Sequence, residues 1–194
     1  NFDPNNKKSI TVESLRNPAV QDVYEPGSTG KIITIASAIE EGKTTPESVW
    51  TIPYSIKYKN AKFHDAEKHS VERLTTAGVL AQSSNVGAIQ IGALISNDKF
   101  YEYLRKFGIG QSSGSHLPGE SPGLLPHVDT WSETTAPTIA FGQGYSVTAL
   151  QATSVFATIA NDGVRVTPNV VAGTIDNSGK FTPSKPQATE RVVS

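Results

Sequence analysis

Apolar residues recur at helical spacing in five stretches of the chain. The clearest is 28–41, which is followed by Gly42 at a position where many helices end. One face of that stretch carries Ile32, Ile35, Ala36 and Ile39, so we expect a buried helix. The same spacing predicts four further helices, at 71–82, 86–95, 98–107 and 148–160.

The other segments show weaker patterns. Residues 1–24 are polar and predict a loop with one short helix near 12–15. Weak alternation over 44–70 predicts irregular structure with one or two short strands, and a Gly- and Pro-rich loop is predicted at 108–127. Near the end, strands are predicted at 164–166 and 170–175, the second leading into a turn at 177–179.

Composition narrows the possible chemistry. Lys and Arg number 17 against 18 Asp and Glu, so no basic excess favours binding to nucleic acid or to an anionic membrane. The absence of Cys excludes disulfides, a thiolate nucleophile and Cys-ligated metals, so any nucleophile must be oxygen or nitrogen. The chain also has no Met, and we expect it to be a piece of a longer protein.

Ser28 and Lys31 form the first candidate pair. Three residues apart at a helix start, the hydroxyl and the amine face the same side, and burial beside Ile32 and Ile35 disfavours the ammonium form. The alternative is that Ser28 only caps the helix. With 20 Ser and 12 Lys, about one Ser-x-x-Lys arises by chance, and a second one starts at Ser96.

A second candidate is the break between two apolar helices at Ser83, Ser84 and Asn85. A hydroxyl and a carboxamide held by rigid flanking helices can hydrogen-bond to Lys31 and to a substrate amide. The alternative is an ordinary turn in which Asn85 caps the next helix. Neither motif is specific by itself.

The flanking residues and the order of the motifs make them informative together. Three blocks follow one another: YEPGSTGK at 24–31, AQSSNVG at 81–87 and FGQGYSVTALQ at 141–151. Their succession closely resembles the transpeptidase domain of class B penicillin-binding proteins, which cross-link bacterial peptidoglycan. Further similarity runs from segments 2–5 and 16–20 to 161–163.

The resemblance implies a role for each motif residue. It makes Ser28 the acylated nucleophile, Lys31 its proton acceptor, Ser83 a proton relay and Asn85 the residue that orients Lys31 and the substrate amide. It adds Ser84 and Tyr145 as substrate contacts. No metal or other cofactor is implied.

The resemblance also implies a fold, partners and a location. The fold is mixed α/β (α+β), like that of serine β-lactamases. The partners are peptidoglycan stem peptides, glycan strands derived from lipid II and β-lactam antibiotics, with division or elongation proteins and without nucleic acid. The parent protein would act on the extracytoplasmic face of the cell membrane, anchored by an N-terminal transmembrane helix. A penicillin-acylated sensor module and a non-catalytic structural module remain as alternatives.

One family feature is absent from the sequence. The third motif, Lys-Thr-Gly or Lys-Ser-Gly, does not occur, and the nearest strings, at 42–45 and 178–180, differ in order and context. We therefore expect 1–194 to be a partial domain, mainly the helical part, without most of the antiparallel sheet. Another chain or segment would supply the missing strands. Since an oxyanion donor would be lost with them, we expect the isolated chain to be inactive or nearly so.

Other patterns are weaker. A metal site at His64, Asp65 and His69 lacks a standard spacing, and a solvated loop is the favoured interpretation. A phosphate loop at 142–144 lacks the Gly-Lys-Ser/Thr that would follow it. Four aromatic residues could line a cleft, although packing in the core or in loops is favoured: Tyr24, Trp131, Phe141 and Tyr145.

Overall fold

The computed structural model describes Asp3 and residues 5–194. Segment 2–5, which contributes to the family resemblance, lies partly outside the described residues. Within them the chain forms seven α-helices, four 3₁₀ turns and eight strands. The helices are α1 (Pro18–Gln21), α2 (Lys31–Glu40), α3 (Thr76–Ala81), α4 (Asn85–Gly92), α5 (Asn97–Lys106), α6 (Thr135–Ala140) and α7 (Ala149–Ala160).

The strands form four separate antiparallel pairs. They are β1 (Val49–Ile52), β2 (Ser55–Tyr58), β3 (Ala61–His64), β4 (Glu72–Thr75), β5 (Val164–Val166), β6 (Gly173–Ile175), β7 (Phe181–Pro183) and β8 (Thr189–Arg191). The pairs are β1 with β4, β2 with β3, β5 with β8 and β6 with β7. This mixed α/β architecture, rich in helices, confirms the predicted fold class.

Side chains of residues that precede three helices cap the free N–H groups at their starts. Ser84, Ser96 and Thr148 accept hydrogen bonds from the backbone of α4, α5 and α7. The helices predicted at 86–95, 98–107 and 148–160 are thereby confirmed. The predicted helix at 28–41 is also confirmed, except that its first turn, Gly27–Gly30, is 3₁₀.

Two predictions need correction. Residues 71–82 are not one helix, because β4 occupies the first half and pairs with β1, placing Leu74 opposite Trp50. Segment 44–70 contains three strands rather than one or two. Local periodicity did not reveal these strands, because each is four residues long and depends on a partner strand.

The C-terminal part combines confirmed and unexpected elements. Strand β5 matches the prediction, and β6 and β7 form a hairpin around the predicted turn, although only the end of 170–175 is strand. Strand β8, α1 and α6 were not predicted, and the loop at 108–127 contains none of the named elements. No described helix is long and apolar enough to span a membrane.

The core lies where α2, α4 and α5 pack together. Ile33 and Ile35 of α2, Ile89 of α4, and Phe100 and Leu104 of α5 are all at most 5% exposed. Since α2 begins next to Ser28 and α4 begins next to Ser83, the packing of these two helices fixes the distance between the two motifs.

Candidate active site

Ser28 lies in a turn that is pressed against a second loop. The Gly27 N–H donates to the carbonyl of Gly142, with an N···O distance of 2.7 Å. A Cβ at Gly142, where φ is +91°, would overlap the Gly27 carbonyl oxygen. The loop at 142–144 therefore needs glycine at this position to support the turn that carries Ser28.

Lys31 is completely buried, and its amine lies between two serines. The Nζ atom is 3.1 Å from Ser28 Oγ, 3.0 Å from Ser83 Oγ and 2.5 Å from the Ser83 carbonyl oxygen. Burial lowers the pKa of Lys31 to about 8, partly opposed by the nearby Asp65 carboxylate. At pH 7 roughly a tenth of the amine is therefore free and can accept a proton, far more than for an ordinary lysine.

The turn at Ser83 is held by Asp65. Ser83 has a φ of +57°, in the left-handed region that side chains rarely adopt. The next residue, Ser84, donates from its hydroxyl to Asp65 Oδ2 at 2.8 Å, and the Val86 N–H donates to Asp65 Oδ1 at 2.9 Å. These bonds fix the start of α4, and with it the direction of Ser83 toward Lys31.

The structure brings together three of the four predicted catalytic residues: Ser28, Lys31 and Ser83. Asn85, two residues after Ser83, is the first residue of α4 and is partly buried, and its amide donates to the His64 carbonyl at 3.1 Å. Among the described residues it makes no hydrogen bond to Lys31, so its contact with Lys31 stays a prediction.

The two predicted substrate contacts occupy other positions. Ser84 is 4% exposed, and its hydroxyl is committed to Asp65 and to the Gly87 N–H. Tyr145 is 2% exposed and packs behind Gly30, with no hydrogen-bond partner for its hydroxyl among the described residues. Burial raises the pKa of Tyr145, and its contact with substrate stays a prediction.

A cleft of about 420 Å³ opens beside Ser28. Polar and charged side chains form most of its wall, and its floor is the turn that carries the second motif. It is lined by Ser28, Asp65, Ala66, Glu67, Lys68, His69, Glu72, Leu74, Gln82, Ser83, Ser84 and Asn85. Ser28 and the second motif therefore face one space that is large enough for a peptide segment.

Asp65 and His69 are the site residues that the sequence did not reveal. Asp65 is 7% exposed, and its Oδ2 lies 3.0 Å from His69 Nε2, so this part of the segment is not the solvated loop that was expected. Among the described residues, no cluster of three His, Asp or Glu side chains is arranged as a metal site. Asp65 precedes Ser83 by 18 positions, and no local pattern links the two residues.

The 142–144 loop and three of the aromatic residues that could line a cleft have packing or bracing contacts. Gly144 donates its N–H to Glu25 Oε1 at 2.8 Å, so the 142–144 loop braces the nucleophile turn. Phe141 packs edge-on against Phe63, and Trp131 packs in the same way against Phe100, as the packing interpretation predicts. Tyr24 is half exposed and its backbone bridges to Val147.

A buried lysine amine shared by two serine hydroxyls, one of them at a helix start beside a cleft, is an arrangement that can activate a serine for acyl transfer. The family model for the penicillin-binding protein transpeptidase domain matches residues 1–194, and the chain belongs to this family.

Similar proteins of known name support membership of this family. The chain is 42% identical over 194 residues to the penicillin-binding protein PbpB of Mycolicibacterium smegmatis, covering all of this chain and 30% of the relative. It is 37% identical over 164 residues to the peptidoglycan D,D-transpeptidase FtsI of Escherichia coli K12, covering 84% of this chain and 27% of the relative. The chain thus spans less than a third of these proteins.

A solved structure supports the fold. Penicillin-binding protein 3 of Mycobacterium tuberculosis, in complex with aztreonam, has a TM-score of 0.90 and 43% identity to this chain. The match covers 93% of this chain and 40% of the solved one. The described helices and strands therefore form part of the fold found in that protein.

Proposed function

We propose that the protein carrying these residues is a peptidoglycan D,D-transpeptidase that cross-links stem peptides through an acyl-enzyme on Ser28. One observation supports this most directly: the buried Lys31 amine lies within hydrogen-bond distance of both Ser28 Oγ and Ser83 Oγ. The E. coli relative bears the name of this activity, and the M. tuberculosis structures hold aztreonam or ampicillin.

In the first half-reaction, Lys31 accepts the proton of Ser28 as Oγ attacks the carbonyl carbon of the penultimate D-Ala. The start of the turn, where the Ser28 N–H lies, is suited to the developing oxyanion. When the peptide bond breaks, the departing D-Ala nitrogen takes a proton from Lys31 through the Ser83 hydroxyl. The products are an ester on Ser28 and free D-Ala.

The second half-reaction reverses these roles. The amine of a neighbouring stem peptide attacks the ester carbon, and its proton passes through Ser83 to Lys31. Collapse of the intermediate breaks the ester bond, and Lys31 returns the proton to Ser28. A β-lactam would enter by the first half-reaction and remain as the acyl-enzyme, because the opened ring stays attached and no leaving group departs.

The proposed transpeptidase also needs parts of the protein other than residues 1–194. Residues 1–194 would form part of the transpeptidase domain, with the Lys-Thr-Gly or Lys-Ser-Gly strand supplied outside them. The relatives' role in cell-wall synthesis supports action outside the cytoplasm on stem peptides and glycan strands derived from lipid II. An N-terminal membrane anchor and division or elongation partners follow from the family resemblance.

Labelling with a fluorescent penicillin tests the proposal on the intact protein that carries these residues. We expect stable labelling that Ser28→Ala abolishes. Ser96→Ala is the matched control, because Ser96 begins the other Ser-x-x-Lys and only caps α5. Absence of Ser28-dependent labelling would overturn the proposal.

Two further measurements separate related functions. Release of the label within seconds would indicate a β-lactamase. Stable labelling without cross-linking of lipid II-derived strands would indicate a sensor module. We expect slow release together with cross-linking that requires Ser28.

A further inference from the structure

Both ring nitrogens of His69 face oxygen acceptors. Nδ1 is 2.6 Å from the Ser70 carbonyl oxygen, and Nε2 is 3.0 Å from Asp65 Oδ2. A neutral imidazole carries one N–H and can donate to only one of them, whereas an imidazolium donates to both. The geometry is therefore that of a protonated histidine paired with a carboxylate.

The carboxylate in this pair also faces the catalytic turn. Asp65 Oδ2, which contacts His69, is the same oxygen that accepts from Ser84, and Oδ1 accepts from the Val86 N–H. The side chains of Asp65 and His69 are 10% and 18% exposed, so water screens their charges only partly. The negative charge of Asp65 favours the ammonium form of Lys31.

We propose that His69, acting through Asp65, keeps Lys31 available as a free amine for attack by Ser28. His69 is then a positioning residue, since it touches none of the reacting groups. Its positive charge offsets the field that Asp65 exerts on Lys31, while its hydrogen bond leaves Asp65 able to hold the Ser83 turn. This inference rests on the proposed role of Lys31 as the base.

The surroundings of His69 support the protonated form. The Ser70 carbonyl and the Asp65 carboxylate raise the pKa of His69, and Glu72 on β4 adds to the effect. Tyr54 packs edge-on against the His69 ring, with 5.9 Å between the ring centroids, and its ring also lies 5.6 Å from that of His64. Glu67 and Lys68, which carry opposite charges, also line the cleft.

The test replaces His69 with glutamine, whose amide can still donate to Asp65 but carries no charge. The uncompensated Asp65 should then raise the pKa of Lys31 by about half to one unit. In the intact protein, the pH at which Ser28 acylation is half-maximal should rise by the same amount. Acylation should fall about three- to tenfold at pH 7 and recover at higher pH.

Two control variants isolate the cause. His127→Gln is matched to the test, because His127 also contacts a carboxylate, Asp129 at 3.2 Å, but does not line the cleft. It should leave the pH profile unchanged. Asp65→Asn should move the profile to lower pH, and adding His69→Gln in that background should cause no further shift.

A measurement independent of acylation separates this inference from the proposed function. Nitrogen-15 NMR should show protons on both ring nitrogens of His69 at pH 7, and His69→Gln should raise the pKa measured at Lys31 Nζ. A neutral His69 or an unchanged Lys31 pKa would overturn the inference, even in a protein that penicillin acylates. A loss of acylation that is equal at every pH would overturn it as well.

Discussion

At the scale of single residues, Lys31 is unusual because it is fully buried although it can carry a positive charge. Burial of the ammonium form costs free energy, since the ion loses its hydration. Its three hydrogen-bond partners are two hydroxyls and one carbonyl, all neutral. Neutral acceptors compensate less for the lost hydration of an ammonium ion than a directly bonded carboxylate would. The fold therefore favours the amine form, which is the form that proton acceptance requires.

The preference of folded Lys31 for the neutral amine makes the free energy of unfolding depend on pH. The pKa of Lys31 is about 8 in the folded chain against 10.5 for the ordinary side chain, so the unfolded chain binds more protons between these values. The free energy of unfolding should therefore rise with pH in this window, by about 1.5 kcal/mol between pH 8 and 9.5. Denaturant titrations at several pH values measure this rise in the free energy of unfolding.

Replacing Lys31 separates its contribution to this pH dependence from the contributions of other titrating groups. Lys31→Met should remove this rise, whereas Lys43→Met, at an exposed position after α2, should leave it intact. The window ends below pH 10 because Tyr145 and Tyr103, which are both buried and have raised pKa values, destabilise the fold once tyrosines ionise in the unfolded chain. A rise that persists in Lys31→Met would contradict this account.

Some residues of the site can be predicted from the sequence, and others cannot. Ser28 and Lys31 are three positions apart in one turn, so helical geometry alone places them on the same side. The contribution of Asp65 depends on the β2–β3 hairpin, which brings the residue after β3 to the start of α4. That contact is tertiary, and neither spacing nor residue type indicates it.

At the scale of elements, predictions succeeded where the signal was local. The helices α4, α5 and α7 combine apolar spacing with a Ser or Thr cap, and both signals lie within the segment itself. Strand β4 fails this condition. Its register is set by β1, whose paired residues lie 20 to 26 positions earlier, and the Trp50 indole donates to Thr76 Oγ1 at 2.9 Å where β4 meets α3.

Helix α7 depends on one buried side chain, Gln151. Its Oε1 accepts from the Thr148 N–H and completes a capping box, while its Nε2 faces three carbonyl oxygens of the Gly- and Pro-rich loop. These belong to Gly108, Gln111 and Pro122, at 3.3, 2.9 and 2.8 Å. A single glutamine thus joins the helix start to a long loop that contains none of the named elements.

Replacing Gln151 with alanine should therefore lower the free energy of unfolding by about 3 kcal/mol, since several buried polar groups lose their partner together. Urea titrations would measure the loss. Thr153→Ala, on the exposed side of the same helix, is the control and should cost less than about 1 kcal/mol. Similar losses for both variants would show that the loop is held by other contacts.

At the scale of the whole molecule, the candidate site is carried by the two helices with the most buried residues, although Ser28 and Ser83 are themselves exposed beside the cleft. Helix α2 contributes six buried residues and α4 contributes five. By contrast, the β6–β7 hairpin is almost entirely exposed, including Ile175 at 71% and Phe181 at 53%. Local opening should therefore begin in the hairpin and reach the site only on global unfolding.

Amide hydrogen exchange combined with limited proteolysis tests this hierarchy. Backbone amides in α2 and α4 should exchange slowest, and trypsin should cut the native protein after Lys180, in the exposed turn of the hairpin. Because no residue of this hairpin lines the cleft, the cut protein should retain Ser28-dependent labelling by penicillin. Loss of labelling in step with cleavage would show that the hairpin and the site open as one unit.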